Sequence, residues 1–581
     1  MHTMETPPTV TRIERVDDIP LLLAQLGKME VASLLDQHFP MHGNWQGLSF
    51  GEVAVVWLAF ILSQGDHRLN SVQGWAAGLL MTLRVCLGLP GLRELDVSDD
   101  RLGVVLERLG GDEAAWEAYE RAQNATLLRV YDLTARRVRL DSTTAKSDVS
   151  VNEGGLFQFG HSKEHRPDLP QLKISLSTLD PLGLPLSTTV VSGERADDPL
   201  YVPEIRKVQA SLGRHGVLYV GDGKMAALET RADLAASQDH YLCPLPAVQM
   251  PAAALQALLA PVWTGEQTLT PVHRAPETVS DQPQHIANGF SYTIRLTSAE
   301  GLQWSEQRLV VQSLKHAAAQ QQRLDQRLQQ AEQALAGLNP RGRGHPRRDE
   351  TQMRAAVDDI LARHDVAGLL RIDVQVDTHT TRTRAYLARP AREVTTLTIR
   401  VRATRDPRAY EERVRGLGWR VFVGNDLRLD LSEAVLAYRA EYLIERGFNR
   451  LRGKRLGLTP LYLSSTTRIK GLIRLLGIGL RVLCLVEFRV REALQAKADK
   501  LDQLDAGNPK RATARPTTEL MLRAFAGLTL VVVSLGGTDW LNMTPLNAVQ
   551  SRIVGLLGFP ETIDQRLGMQ SEGAAFKMGE P

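Results

Sequence analysis

Cysteine is scarce in this chain: Cys86, Cys243 and Cys484 are the only three in 581 residues, with no short spacing between any two. That excludes a disulfide framework and a cysteine-rich zinc site, and a reducing, cytoplasmic setting is the expectation. Aromatic residues are few, at 5%. Long apolar runs are missing too. The best of them, "AFAGLTLVVVSLGG", falls short of the roughly 18 residues that a membrane span needs. The opening "MHTMETPPTVTRIERVDD" lacks the charged-then-apolar design of a secretion signal, so no membrane insertion is expected. No G-x-x-x-x-G-K-[ST] occurs, and ATP use is not indicated. The net charge of +3 is too small to imply any partner by itself.

What is present is an ordinary apolar and charged complement, 43% and 23%, in a chain long enough for two to four structural units. The charge is unevenly placed. From Arg446 to Arg481 there are nine Lys or Arg and no Asp or Glu. Solvated helix faces usually mix signs to make i,i+4 pairs, so this stretch reads as a surface for phosphate, with a nucleoid-associated location as the corollary.

Residues 1–130 carry apolar residues at three-and-four spacing and read as a helical N-terminal domain. From 131 to 250 the texture changes. "RRVRLDSTT" alternates like a half-buried strand ending on Asp141, "LKISLSTL" and "LPLSTTVVSG" flank the turn "DPLG", and "GVLYVGD" is a short buried strand. Helices are predicted over "DDPLYVPEIRKVQASLG" and "KMAALETRADLAAS", with a last strand at "HYLCPLP". Strand, strand, strand, helix, strand, helix, strand is the order of a ribonuclease H-like α/β core lacking its final helix. Residues 251–428 read as an α/β, β-rich insertion containing a Gln- and Ala-rich helix with a coiled-coil-like seam at Leu324, Leu328, Ala331, Leu335 and Leu338. Residues 429–500 then supply the missing helix, "LSEAVLAYRAEYLIERGFNRLR", and a second long one. Residues 501–581 read as linker and C-terminal tail.

In such a core the ends of strands one and four and the last helix meet, which would bring Asp141, Asp222 and Glu445 together. Three converging carboxylates repel one another unless cations lie among them, and hard oxygen ligands favour two Mg²⁺ or Mn²⁺ ions. Such a pair activates a water or a 3′-hydroxyl on one side of a phosphodiester and stabilises the leaving oxygen on the other.

The segments "LDSTT", "GHSKEHRPDLPQLKISL", "VGDGKMA", "HYLCPLP" and above all "YRAEYLIERGFNRLRG" resemble the bacterial insertion-sequence DDE transposases with a tyrosine, arginine, glutamate, lysine signature, in the long branch with an insertion domain. The resemblance spans roughly residues 130 to 495. It implies metal-dependent cleavage and strand transfer of element ends. The signature spacing lands on Tyr438, Glu441, Glu445 and Arg452, so tyrosine and glutamate match, arginine is replaced by Glu441 and lysine by Arg452. Arg439 is the candidate to take over the arginine contact. Tyr438, Arg439, Arg452 and Lys454 would hold DNA phosphate, as would Lys163 and Arg166 in the polar loop after the first strand. The implied partners are terminal inverted repeats and target DNA, bound by a homodimer, with residues 1–130 serving DNA-end binding or dimerisation and with no organic cofactor.

Two other readings stand beside this one. The reversed charge at Glu441 allows a catalytically inactive, DNA-binding relic. The stretch "VGDGKMA" also fits G-x-G-x-x-A through Gly221, Gly223 and Ala226, with Asp239 as ribose partner, as in a dinucleotide-binding oxidoreductase. Trp263 in the insertion is read as ordinary packing in preference to a base-stacking platform.

Overall fold

The computed structural model describes residues 9–147, 149–160, 166–276, 282–339, 348–385, 390–461, 463–505, 507–535 and 538–559. They form a mixed α/β protein of two compact units. One comprises Met1–Cys243, Thr297–Leu302 and Ala437–Pro581; the other comprises Pro244–Leu296 and Gln303–Leu436. Among the described residues no helix is long and apolar enough to cross a membrane.

The N-terminal part of the first unit is mainly helical. Its central helix, Phe50–Gln64, begins with a reciprocal cap: the Ser49 side chain accepts from the Glu52 N–H, and Glu52 accepts from the Ser49 N–H, which satisfies two donors the first turn leaves orphaned. Apart from Glu52, the helix is buried from Phe50 to Leu62. It packs with the long helix Thr466–Ala496, which crosses helix Asp99–Gly111 at two glycines. A Cβ on Gly471 would lie 2.1 Å from the Leu106 carbonyl oxygen, and one on Gly110 would lie 1.9 Å from that of Thr467.

This packing revises the reading of the basic stretch. Arg446 pairs with Glu487, Arg450 with Glu487 and Glu519, Arg455 with Asp18, Arg468 with Glu107, Lys470 and Arg474 with Glu113, and Arg481 with Glu120. Arg474 and Arg481 are fully buried. The signs are therefore mixed in space, by acids from distant segments, and most of the run holds the fold together.

Residues 501–581, read as linker and tail, contribute structure as well. Strand β1 (Thr9–Arg15) pairs with a strand at Thr529–Leu535, which pairs with Thr538–Met543. The β-branched run of the middle strand is what supports that pairing.

The site rests on five further strands of the first unit: β2 (Arg137–Lys146), β3 (Gln171–Leu179), β4 (Leu184–Ser192), β5 (Leu218–Val220) and β6 (His240–Pro244). Their order is β4-β3-β2-β5-β6. The first two pairings are antiparallel, and β2–β5 and β5–β6 are parallel. Helix Tyr201–Leu212 joins β4 to β5, and helix Leu228–Ala236 joins β5 to β6. Every residue of β3 is buried. The first strand does not end at Asp141. It runs on to Lys146 because β3 stays paired with it over that length.

In the second unit the strands β7 (Thr270–Arg274), β8 (Gln284–Thr297), β9 (Gln303–Ser313) and β12 (Trp419–Gly424) are ordered β12-β9-β8-β7. A separate ribbon is made by β10 (Leu370–Thr383) and β11 (Arg392–Arg405). Leu324, Leu328, Ala331 and Leu335 of helix Leu314–Gly337 are buried. Their cover is helix Glu350–Arg363 and the base of the ribbon, in one core with Met353, Val357, Ile399 and Val401, so the seam is an intramolecular contact.

Burial pushes the Glu120 carboxyl up to about 8 from 4.5, against the pull of Arg481. A carboxyl that keeps its proton to higher pH when folded contributes stability that is complete below about 4.5 and lost as pH climbs through about 8. The melting temperature should therefore fall between pH 5 and 8, and Glu120→Gln, which still accepts a hydrogen bond, should flatten that fall. An unchanged slope would remove Glu120 as its source.

Candidate active site

Strands β2 and β5 set the geometry. Their parallel register pairs Arg137 with Leu218, Val138 with Tyr219 and Arg139 with Val220. Asp141 and Asp222 each stand two residues beyond the last of these pairs, so the register delivers both carboxylates to the same level of the sheet. Both line a small cleft with Tyr438, Glu441 and Ile444.

Asp222 is held from below. The buried Tyr201 hydroxyl donates to its Oδ1 at 2.6 Å, and the Lys224 N–H donates to the same oxygen at 2.9 Å. Gly221 permits this approach, because a Cβ there would meet Met225 Sδ at 2.8 Å and Tyr201 Cε1 at 3.1 Å. Burial first, and then the Asp222 carboxylate, hold the Tyr201 hydroxyl well above the usual phenol range, so it remains a donor. Asp141 Oδ1 accepts the Ser142 N–H at 2.7 Å. The Ser142 hydroxyl in turn donates to Asp197, which also accepts from Lys173 at 2.9 Å. Sequence reasoning missed Tyr201 and Asp197. The cap signal in "DDPLY" marked the helix start but not which side chains would face the sheet.

Glu441 arrives through Arg139. Its guanidinium makes two parallel hydrogen bonds to Asp180, both 2.8 Å, and donates to the backbone carbonyls of Ala437 and Tyr438. In a continuous helix those carbonyls would accept the N–H groups of residues 441 and 442. Instead the Glu441 N–H turns to Tyr438 at i−3, as do those of Leu443 and Ile444 to Ala440 and Glu441. The segment expected as one helix is accordingly two, Leu431–Arg439 and Tyr442–Arg452. Glu441, at the break, is half-buried and faces the cleft. Its carboxyl is raised by burial, then by Glu445, Asp141 and Asp222, with Arg139 opposing.

Glu445 lies one turn further on, exposed, and its N–H still reaches the Glu441 carbonyl at 3.3 Å. It is not among the side chains lining the cleft. Among the described residues no three His, Cys, Asp or Glu side chains stand ready as a metal cage. The donors that do face the cleft, Asp141, Asp222 and Glu441, are all hard carboxylates, the chemistry that suits Mg²⁺ or Mn²⁺. Tyr438 lines the cleft, and Arg439 is half-exposed next to it. Arg452 closes its helix and Lys454 is exposed just beyond; Arg452 is seven residues after Glu445, about 10 Å along the axis. Neither lines the cleft. Arg166 pairs with the exposed Asp168 at 2.7 Å. Lys163 lies outside the described residues.

The dinucleotide reading loses its acid. Asp239 is buried, accepting the Val217 N–H at 2.9 Å and Gln209 at 2.8 Å, so it joins β5 to the adjoining helix and presents nothing to a ribose. The helix after the glycines begins only at Leu228, leaving "GDGKMA" as a turn. In the other unit, Trp263 carries the Arg415 guanidinium over its ring at 5.7 Å.

No family model and no curated protein matches the chain. Among solved structures it is similar to a piggyBac transposase synaptic complex with hairpin DNA, at 9% identity and a TM-score of 0.23, over 51% of this chain and 58% of that one. A likeness that low supports no argument about function.

Replacing Arg139 by Ala would leave the buried Asp180 with Arg137 alone, at 3.8 Å, and urea unfolding should show a loss of about 3 kcal/mol. The double replacement Arg139→Met with Asp180→Leu should recover most of that loss. A single-variant cost under about 0.5 kcal/mol, the size of an ordinary surface change, would show that the pair does not fasten this corner.

Proposed function

We propose that the chain is a metal-dependent DNA transposase of the DDE type, acting on the ends of its own element. The observation that carries the proposal is the shared register of Asp141 and Asp222, two residues past the last pair of adjacent parallel strands, with Glu441 in the same cleft and Glu445 one turn further on. The order β4-β3-β2-β5-β6, antiparallel on one side of β2 and parallel on the other, is the order expected of a ribonuclease H-like core. The sequence resemblance to the insertion-sequence transposases points the same way.

In this reading Asp141 and Asp222 hold two Mg²⁺ or Mn²⁺ ions and Glu445 completes the set. Such ions, when bound, lower the pKa of a coordinated water and stabilise a leaving oxygen. The chain's own contributions are positional. Tyr201 and the Lys224 amide both engage Oδ1 of Asp222 and so fix that carboxylate. Arg139 fixes the start of the glutamate helix. Glu441 adds negative potential beside the site and makes it more demanding of a divalent cation. Tyr438, Arg439, Arg452 and Lys454 hold the flanking phosphates, Arg166 approaches the duplex from the segment between β2 and β3, and the N-terminal helices bind terminal repeats or a second protomer. Two ends must be brought together, so the working unit on DNA is a homodimer, and no organic cofactor is required.

Supercoiled plasmid carrying the element's ends, incubated with the protein and Mn²⁺, should be nicked, and Asp141→Asn or Asp222→Asn should lower the rate on the order of 10²-fold or more, at or beyond the upper end of what loss of a supporting partner costs. DNA binding by the wild type with no cleavage under any divalent ion would leave an inactive relic.

The two glutamates are separable in the same assay. Glu445→Gln should abolish nicking, while Glu441→Gln should cost less than about tenfold, as removal of a neighbour does. The reverse order would move the third ligand to Glu441.

A further inference from the structure

The ribbon of β10 and β11 pairs without interruption from Leu370 with Arg405 to Thr383 with Arg392. Fourteen residues per strand span about 46 Å, at roughly 3.3 Å each. Only its base is covered: Ile399 and Val401 are buried, and Ile372, Val374 and Ala403 pack against the same core. Beyond that, every residue from Gln375 to Arg382 is exposed, as are Arg392 to Thr395. An isolated two-stranded ribbon is marginal in water, so a free one of this length needs a reason.

Its composition is lopsided. Between Leu370 and Arg405 the sequence carries eight arginines and three acids, Asp373, Asp377 and Glu393; Asp373 stands across from Arg402, Gln375 across from Arg400 and Asp377 across from Thr398. Arg405 is taken by Glu332 and Asp325 and Arg382 stands 4.0 Å from Glu393. Arg400 and Arg402 form no ion pair or hydrogen bond with any described residue, and the same is true of Arg384. By strand alternation Arg400 and Arg402 share the face opposite Ile399 and Val401, and that face is open. Thr378, Thr380, Thr381 and Thr395 are exposed; Thr380 and Thr395 hydrogen-bond to each other at 3.4 Å and Thr381 donates to the Val394 carbonyl at 3.3 Å, bonds that an approaching phosphate would have to replace, and Val376 and Leu397 are exposed at 43% and 56%.

We propose that this ribbon is a docking arm for duplex DNA. Its arginines neutralise backbone phosphates, its threonines hydrogen-bond to them, and the strand pair lies along a groove of the width that admits a two-stranded β-ribbon. Beyond the packed base, the nine residues from Gln375 to Thr383 span about 30 Å, close to one helical turn of B-DNA, roughly 34 Å. This rests on the transposase reading for its partner and adds the surface. An edge merely protected from aggregation by charge would carry the same arginines without DNA affinity, which makes the two separable.

The experiment uses the full chain carrying Arg384→Ala, Arg400→Ala and Arg402→Ala together, and a second triple variant with lysine at those positions. Binding to a 40-base-pair duplex is measured across a salt series. The alanine triple should raise Kd about tenfold and lower the slope of log K against log salt by about 2 to 3, near 0.9 for each phosphate no longer neutralised. The lysine triple should keep most of the slope, and both should melt like the wild type, since the positions are exposed. Unchanged affinity and slope in the alanine triple overturn the arm even if that variant still nicks plasmid. An arm-dependent slope in a wild type that never nicks upholds the arm and removes the catalytic reading. A preference for single-stranded RNA or an acidic protein over duplex DNA also overturns it.

Discussion

The Arg139–Asp180 pair is the constraint on which the site depends. Burying a guanidinium is costly unless its donors are satisfied, and here they are divided between one carboxylate and two main-chain carbonyls. That division does two jobs. It locks the turn after β3 to β2, and it holds the C-terminal end of helix Leu431–Arg439 at the point where the chain must present Glu441 to the cleft. A positive group at a helix C-terminus is favourable in its own right. The same contact explains the helix break, because the carbonyls it occupies are those a continuous helix would need. Arg139 stands two residues before Asp141 on one strand, so the residue that anchors the glutamate helix and the residue that faces the cleft share one local frame.

Much of the sheet was legible in the sequence, and for a physical reason. The alternation in "RRVRL", the turn "DPLG" and the short run "GVLYVGD" are local signals, and the strands they mark fall at β2, between β3 and β4, and at β5. The positions of Asp141 and Asp222 follow from those elements. The helix break was not legible. Nothing between Arg439 and Tyr442 is glycine or proline, and local propensity favours continuation; the interruption comes from a residue some 300 positions earlier in the chain. Tyr201 was equally hidden, since its value lies in reaching across to Asp222. The strands at Thr529–Leu535 and Thr538–Met543 left a signal in the run "TLVVVSL", but their partner, β1, is at the other end of the chain.

Charge was the feature most easily misread. A run of nine cations without an acid looks like a surface for polyanions when sign mixing is sought only along the helix. In space, seven of them face carboxylates from helices near the N-terminus, from Glu487, or from Glu519. The two left outside those pairs, Arg452 and Lys454, are the two that the sequence resemblance had singled out. One-dimensional charge counting thus located a cationic segment correctly and assigned most of it the wrong task.

The contrast with the ribbon separates structural from functional arginine. Arg474 and Arg481 are sealed in the interior, where loss of a partner leaves an uncompensated charge, and their burial is evidence that the fold itself uses them. Arg400 and Arg402 sit on an open face whose opposite side already packs, so the fold gains little from their charge; surface cations of that kind contribute near zero to stability. Across the ribbon Arg402 faces Asp373 and Arg400 faces Gln375, so cross-strand charge pairing takes up at most one of the two. An arrangement from which the folded state gains little, and which recurs along one arm, is better explained by what approaches that arm than by what lies beneath it.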